Sequence, residues 1–355
     1  MIQSENQLLQ DVTSTLESLF EARIKIRDGL PGDDGIDCVL EVRGNQGVWM
    51  MPVEIKKQAY PRDIRQAIWK IEAFCQKNIN TPDIVPIFVA ELISEGAREM
   101  LKAHDVGYFE LGGTLFIKHK QSIIDIQKPR KRTAKRGSGV LFTEAREMVV
   151  HALLQSKGKW LSGEELSEYS GTSAFTVSGV LKELEMREWL EKTREGGRSQ
   201  RRRLIKPGAL LNAWSEATRQ RENAAFYGYL FSPDAVGCVR KIESKISHTG
   251  GDICWALTGA LPANQATPLL TGVNVAEIIV PVGSTERFTQ LTGVKRAEKG
   301  YNVVVHECPP AALQFIRYEN NIPVASDFIQ YLSLLDGKGR NAELAELFRL
   351  NILEI

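Results

Sequence analysis

Two apolar-rich runs, 36–43 and 48–56, meet at Gly44-Asn45-Gln46-Gly47, and this junction constrains the fold more than any other part of the 355-residue chain. Apolar runs joined through a short Gly/Asn turn specify a β-hairpin. With a two-residue loop, Asn45-Gln46, Gly44 pairs with Gly47. Counting outward without a bulge sets Asp37 opposite Glu54. Lys56 follows on the same face, because side chains in a strand repeat every two residues. The register thus brings two carboxylates and an ammonium into one neighbourhood.

Two carboxylates hold Mg²⁺ through oxygen ligands, and a lysine beside them can orient or deprotonate an attacking water. The pattern Gly-Ile-Asp37, sixteen residues, Glu54-Ile-Lys56 resembles the core of PD-(D/E)XK nucleases. The resemblance implies Asp37, Glu54 and Lys56 as catalytic residues, Asp37 and Glu54 as metal ligands, and Glu21 as the extra upstream carboxylate. The flanking elements fit that core. A helix is expected over 8–22, with Leu9, Val12, Leu16, Leu19 and Phe20 as its apolar stripe. A second helix starts at Tyr60-Pro61 and carries Arg62, Arg65 and Gln66 near the site. A strand at 84–90, a helix at 94–104 and a strand pair around Gly112-Gly113 follow. Residues 1–127 therefore read as a restriction-endonuclease-like α/β domain. A fold does not by itself confer an activity, and the same charges also suit a solvated surface.

The charge is unevenly spread. Residues 1–127 hold 14 basic and 19 acidic side chains, residues 128–222 hold 20 and 12, and residues 223–355 hold 11 and 13. A basic middle between acidic ends is the footprint of a nucleic-acid-binding module. The excess sits in a linker, 128–139, which includes Lys131 and Arg132, and in Arg198-Ser-Gln-Arg-Arg-Arg-Leu-Ile-Lys206. Between them the periodicity predicts a helix over 142–156 and a second from Ser162, whose Ser-x-x-Glu165 is a capping box. A turn at Gly171-Thr172 leads to a third helix from Ser173, with Val177, Val180, Leu181 and Leu184 on one face. Two strands, 189–194 and 201–205, close the segment. Helix, helix, turn, helix and two-stranded wing is the order of a winged helix-turn-helix, assigned to 140–222. In that motif the third helix enters the major groove. The candidate DNA-binding residues are Ser173, Thr176, Ser178 and Lys182 on that helix, Arg198, Arg201, Arg202 and Arg203 on the wing, and Lys131 and Arg132 in the linker. Phe175 is unusual on such a helix and is expected to pack under the wing or against a partner. A winged helix used only for protein contact is the alternative.

Residues 223–355 read as an α/β or α+β domain without a catalytic signature. A helix is expected over 232–245 with Ser232 as cap and Pro233 at its first position. Strands follow at 254–259, 277–282 and 302–306, then helices at 286–291, 327–335 and 341–351. Leu257-Thr-Gly259 before a strand is similar to a nucleotidyltransferase core, but 276–280, Ala-Glu-Ile-Ile-Val, lacks the paired aspartates such a core needs. His306 and Cys308 flank a strand end and are expected to serve core packing, the alternative being a two-ligand metal site.

No apolar run reaches the length of a membrane span, and the N-terminus has no basic segment of a secretory signal. Five widely spaced cysteines without a C-x-x-C pair speak against structural zinc and a disulfide framework, and fit a reducing cytoplasm.

The order of parts resembles the AbiEi family, the antitoxins and transcriptional regulators of type IV toxin–antitoxin systems. The matching pieces are Val53-Glu-Ile-Lys-Lys with Arg65-Gln-Ala-Ile, Ser94-Glu-Gly-Ala-Arg with Val106-Gly-Tyr-Phe-Glu-Leu-Gly-Gly, the winged helix, Pro207-Gly-Ala-Leu-Leu-Asn-Ala-Trp, Trp255-Ala-Leu-Thr-Gly-Ala, and Pro323-Val-Ala-Ser with Gln330-Tyr-Leu-Ser-Leu. The resemblance implies a bacterial repressor of its own operon that binds double-stranded DNA and antagonises a nucleotidyltransferase-like toxin. A toxin and a second copy of the chain are the candidate protein partners, and DNA binding needs no cofactor. The family commonly starts with its winged helix, whereas this chain puts the nuclease-like domain first. The alternative function is a Mg²⁺-dependent endonuclease acting in phage defence, and a third reading is a protein-interaction scaffold.

Overall fold

The computed structural model describes residues 2–27, 35–44, 47–78, 83–120, 122–128, 141–193, 197, 200–221, 225–249, 253–335 and 339–355. They form a mixed α/β protein with three sheets. Two compact units result, Met1–Gly137 with Leu184–Glu188, and Ser138–Glu183 with Trp189–Ile355. The segments 140–222 and 223–355 thus fall mainly in one unit. The expected linker lies outside the described residues, apart from Lys128.

The first unit runs α1 (Ile2–Phe20), β1 (Arg23–Arg27), β2 (Cys38–Gly44), β3 (Gly47–Ala59), α2 (Pro61–Lys77), β4 (Ile87–Ile93), α3 (Glu95–Ala103), β5 (Gly107–Glu110), β6 (Thr114–His119) and β7 (Ser122–Ile126). Its seven strands lie side by side in chain order. The β2–β3 hairpin pairs Gly44 with Gly47 and Cys38 with Val53, the bulge-free register expected from the turn. β3, β4 and β5 are parallel. Parallel neighbours need crossover connections, and α2 and α3 supply them. α1 lays Leu8, Val12 and Leu16 on one sheet face, against Leu40, Met51, Val53 and Val89. α2 and α3 cover the other with Ile64, Ile68, Ile71 and Leu101, against Val39, Phe88 and Tyr108. That second face carries Glu54, so β3 delivers an acid beneath α2.

The second unit begins with α4 (Glu144–Gln155), β8 (Leu161–Ser162), α5 (Gly163–Ser170), α6 (Ala174–Met186, of which Leu184–Met186 fall in the first unit), β9 (Leu190–Lys192) and β10 (Arg201–Leu204). Ser162 Oγ accepts from the Glu165 N–H, and the Glu165 carboxylate accepts from the Ser162 N–H, so the capping box forms. Gly171, at φ +65°, ends α5 in the left-handed region. Val177, Val180, Leu181 and Leu184 are buried. β10 pairs with β9 and also with β8, a short strand outside the sequence reading.

The chain continues through α7 (Pro207–Arg219), β11 (Ala225–Tyr229), α8 (Ala235–Thr249), β12 (Ala256–Thr258), α9 (Ala260–Ala266), β13 (Ala276–Pro281), α10 (Thr285–Thr292), β14 (Lys295–Arg296), β15 (Val303–Cys308), β16 (Arg317–Glu319), β17 (Ile322–Val324), α11 (Asp327–Leu334) and α12 (Asn341–Phe348). The sheet order is β14-β11-β15-β13-β12-β17-β16. Cys238, Val239 and Ile242 of α8 pack on Ile278, Val280, Val303 and Val305. α8 starts at Ala235 rather than at Pro233, because Asp234 Oδ1 accepts from the Gly237 N–H at 2.6 Å and takes over the cap. The helix of α4 is joined to these elements by His151. Its Nδ1 lies 2.8 Å from the Ala311 carbonyl and its Nε2 2.7 Å from Ser326 Oγ.

Candidate functional site

In the first unit the hairpin places Asp37 beside Glu54. The Asp37 N–H donates to the Val53 carbonyl at 3.1 Å, and Asp37 Oδ2 accepts from the Ile55 N–H at 2.7 Å. The carboxylate is thereby pinned across the strand pair. Glu54 is fully buried, whereas Asp37 and Lys56 are exposed. Burial raises the pKa of Glu54; the charge of Asp37 adds to the rise, and Lys70 and Lys56 oppose it. Lys70 of α2 donates to Glu54 Oε1 at 3.0 Å and Oε2 at 3.2 Å, and to the Gly35 carbonyl at 2.8 Å.

Asp37, Glu54 and Lys56 are therefore brought together, and Lys70 is the residue that sequence reading missed. Its only sequence signal is a place at the edge of the buried stripe Ile64, Ala67, Ile68, Ile71 and Phe74. Arg62, Arg65 and Gln66 are exposed in the first turns of α2. Glu21 does not join the group. It follows α1 in a turn at φ +47°, and its neighbours Ala22 and Arg23 lie against Gly44 and Arg43 at the hairpin end of β2. Asp37 is at the opposite end of that strand, about 20 Å away by the rise of an extended chain. The upstream helix ends where the hairpin turns, so its last acid cannot reach the other end.

The donor set does not fit a divalent cation as it stands. Both Glu54 oxygens and the Gly35 carbonyl already accept from an ammonium, and Asp37 Oδ2 accepts from a backbone N–H. Among the described residues no group of three His, Cys, Asp or Glu side chains is placed to hold a metal ion.

In the second unit, α6 presents Phe175, Ser178 and Lys182 to solvent at helical spacing. Phe175 is 90% exposed, so it packs neither under the hairpin nor on the core. Ser173 caps α6: its Oγ accepts from the Thr176 N–H at 3.2 Å and meets Thr176 Oγ1 at 2.9 Å. Arg201 and Arg203 share one face of β10. Arg201 Nη2 lies 2.9 Å from Glu165 Oε1, and Arg203 pairs with Glu191 at 2.6 Å while its guanidinium stacks 4.9 Å over Trp160. Both pairs are roughly half exposed, where an ion pair contributes ~0–1 kcal/mol. They hold the arginines in place without committing them. Arg202 bonds Gln200 at 2.7 Å on the other face. Arg198, Lys131 and Arg132 lie outside the described residues.

A cavity of about 470 Å³ opens between α7, α11 and the C-terminal sheet, lined by Trp214, Tyr227, Glu277, His306, Cys308 and Ser333 among others. Glu277 Oε2 is 3.6 Å from His306 Nε2. The Glu277 carboxylate sits against Gly259, at φ +73°, where a Cβ would approach it to 2.8 Å. The Leu-Thr-Gly turn is thus a seat for this acid. Burial pushes the Cys308 thiol up to about 12, which leaves it protonated and inert as a nucleophile. In the wall of the cavity, buried Glu147 accepts from Trp214 Nε1 at 2.6 Å and from Arg221 at 2.9 and 3.0 Å.

Comparison with protein-family models, curated proteins and solved structures gives no match. No helix among the described residues is long and apolar enough to cross a membrane.

Proposed function

We propose that the protein is a double-stranded-DNA-binding regulator whose DNA-contacting module is a winged helix formed by α4, β8, α5, α6, β9 and β10. The observation that carries this reading is the open face of α6. It exposes a capped N-terminus, Phe175, Ser178 and Lys182, and an arginine-bearing hairpin belongs to the same module. A major groove takes a helix. Ser178 supplies a hydroxyl for a base edge, Phe175 an apolar contact for a thymine methyl, and Lys182 a cation for phosphate. Arg201 and Arg203 exchange half-exposed carboxylate partners for phosphate at little cost. The likeness in order to AbiEi proteins supports a role in repressing its own operon and antagonising a nucleotidyltransferase-like toxin. The test is binding of the full chain to the duplex upstream of its own gene, against a scrambled duplex at fixed salt.

The first unit reads as restriction-endonuclease-like, from a helix, an antiparallel hairpin bearing Asp37 and Glu54-Ile-Lys56, and a helical crossover to a parallel strand. The register of those three residues favours a second reading, a Mg²⁺-dependent endonuclease. It calls for a divalent ion between Asp37 and Glu54, and Lys70 now donates hydrogen bonds to both oxygens of Glu54. The DNA-binding reading stands first for that reason. Mg²⁺-dependent fragments that vanish with Glu54→Ala would reverse the order.

A further inference from the structure

Of the two carboxylates expected to face a metal ion in the first unit, Glu54 turns both its oxygens to an ammonium instead. Lys70 Nζ has three oxygen partners: Oε1 and Oε2 of Glu54 at 3.0 and 3.2 Å, and the Gly35 carbonyl at 2.8 Å. The Glu54 side chain is 1% exposed and that of Lys70 22%, so the acid is shielded from water and the lysine partly so. The approach is built into the backbone. Gly35 takes φ +83°, a left-handed conformation that costs a glycine little. The hydrocarbon stem of Lys70 reaches this end of the site from α2, the same helix that makes the crossover between β3 and β4.

We propose that Lys70 is the resident cation of the Asp37–Glu54 site, and that a divalent ion enters between the two carboxylates only when Lys70 leaves. The two carboxylates call for compensating positive charge, and here the chain supplies it from Lys70 and Lys56. Mg²⁺ sheds its water reluctantly and demands near-octahedral oxygen geometry at about 2.0–2.1 Å. To bind, it must displace a half-buried, hydrogen-bonded ammonium as well as lose water. Lys56, exposed on the same strand face, adds a second positive charge that opposes an incoming cation. The first unit then keeps its nuclease-like scaffold with an internally neutralised site. This inference concerns the first unit alone and does not depend on whether α6 binds DNA.

The experiment is a titration of Mn²⁺ alone into the full chain, with free Mn²⁺ followed by its electron paramagnetic resonance signal. The wild-type protein should leave the signal unchanged over the range in which Lys70→Met takes up one equivalent, a difference in Kd of at least about tenfold. Adding Glu54→Gln to Lys70→Met should abolish that uptake. Wild-type protein that binds Mn²⁺ as tightly as Lys70→Met, at a site lost with Glu54→Gln, overturns the proposal. So does a folded Lys70→Met that takes up none. Should Lys70→Met not fold, acylation of Lys70 in the wild-type protein gives the answer by mass spectrometry. Mn²⁺ uptake accompanied by a rise in Lys70 labelling supports the proposal, and uptake at a site lost with Glu54→Gln while Lys70 labelling stays unchanged overturns it.

Discussion

Glu54 and Lys70 are sixteen residues apart in sequence and meet at 3.0 Å under α2, where the acid is buried and the lysine is its hydrogen-bond donor. Removing one partner of such a pair leaves an uncompensated buried charge. Lys70→Met should destabilise the protein at neutral pH by about 3 kcal/mol, read by urea unfolding. Glu54 has a raised pKa in the folded protein, so its contribution to stability is present below its ordinary value of 4.5 and is lost as pH rises through the raised value. The Lys70→Met penalty should therefore shrink on acidification. A penalty that is the same at pH 4 and pH 7 would show that Glu54 is not the group involved.

The second unit should be acid-sensitive through His151. The imidazole is buried, and burial lowers its pKa from 6.5 to about 4. With Nδ1–H donating to the Ala311 carbonyl, Nε2 accepts from the Ser326 hydroxyl. That hydroxyl oxygen in turn accepts from the Ile329 N–H, which caps α11. A second proton on the ring would face a hydroxyl already arranged as a donor. A depressed pKa gives stability that is present above the unfolded value and lost as pH falls. The loss should reach about 3 kcal/mol between pH 6.5 and 4. Thermal unfolding across that range should flatten in His151→Gln, and an equal acid slope in both proteins would contradict the assignment.

Arg221 should be as costly to remove. Its guanidinium bonds both oxygens of buried Glu147 and the Phe142 carbonyl, while Trp214 donates to the same acid. Arg221→Met strands Glu147 and should cost about 3–5 kcal/mol. Glu147→Gln in the same chain should restore part of it, because an amide carries no charge to compensate. A double variant no more stable than the single one would place the cost elsewhere.

On the DNA-binding reading, α6 separates affinity from folding. Phe175 is 90% exposed, so Phe175→Ala should leave the unfolding midpoint within about 0.5 kcal/mol of the wild type. Its duplex affinity should fall, and its discrimination between thymine and uracil should narrow. Lys182→Ala should lower the salt slope of binding by roughly one unit, as expected for one phosphate contact. Replacing Arg201, Arg202 and Arg203 together should flatten the slope further; an unchanged slope would remove the hairpin from the interface.

What could be read from sequence followed local rules. The Gly44–Gly47 turn fixes the register of Asp37 and Glu54, because pairing propagates from a two-residue loop without other information. Ser162 and Glu165 announce a helix start three residues apart. Lys70 was not legible, since its partner is set by how α2 packs across the sheet. His151 sits in α4 among Val149, Val150, Ala152, Leu153 and Leu154, a helix buried nearly all round, which gives no periodic hint of a polar role. β1, Arg-Ile-Lys-Ile-Arg, is an edge strand whose charges resemble a loop. Glu21 was misplaced because sequence shows that an acid ends a helix and cannot show which end of the neighbouring strand it meets.

The most direct test is fluorescence anisotropy of the full chain with the duplex upstream of its own gene and with a scrambled duplex of equal length, at one fixed salt concentration. The account predicts tighter binding to the upstream duplex, with the preference lost in Phe175→Ala and Ser178→Ala while both variants keep the wild-type unfolding midpoint. Absence of binding to either duplex at low salt, by a chain shown to be folded, would contradict it.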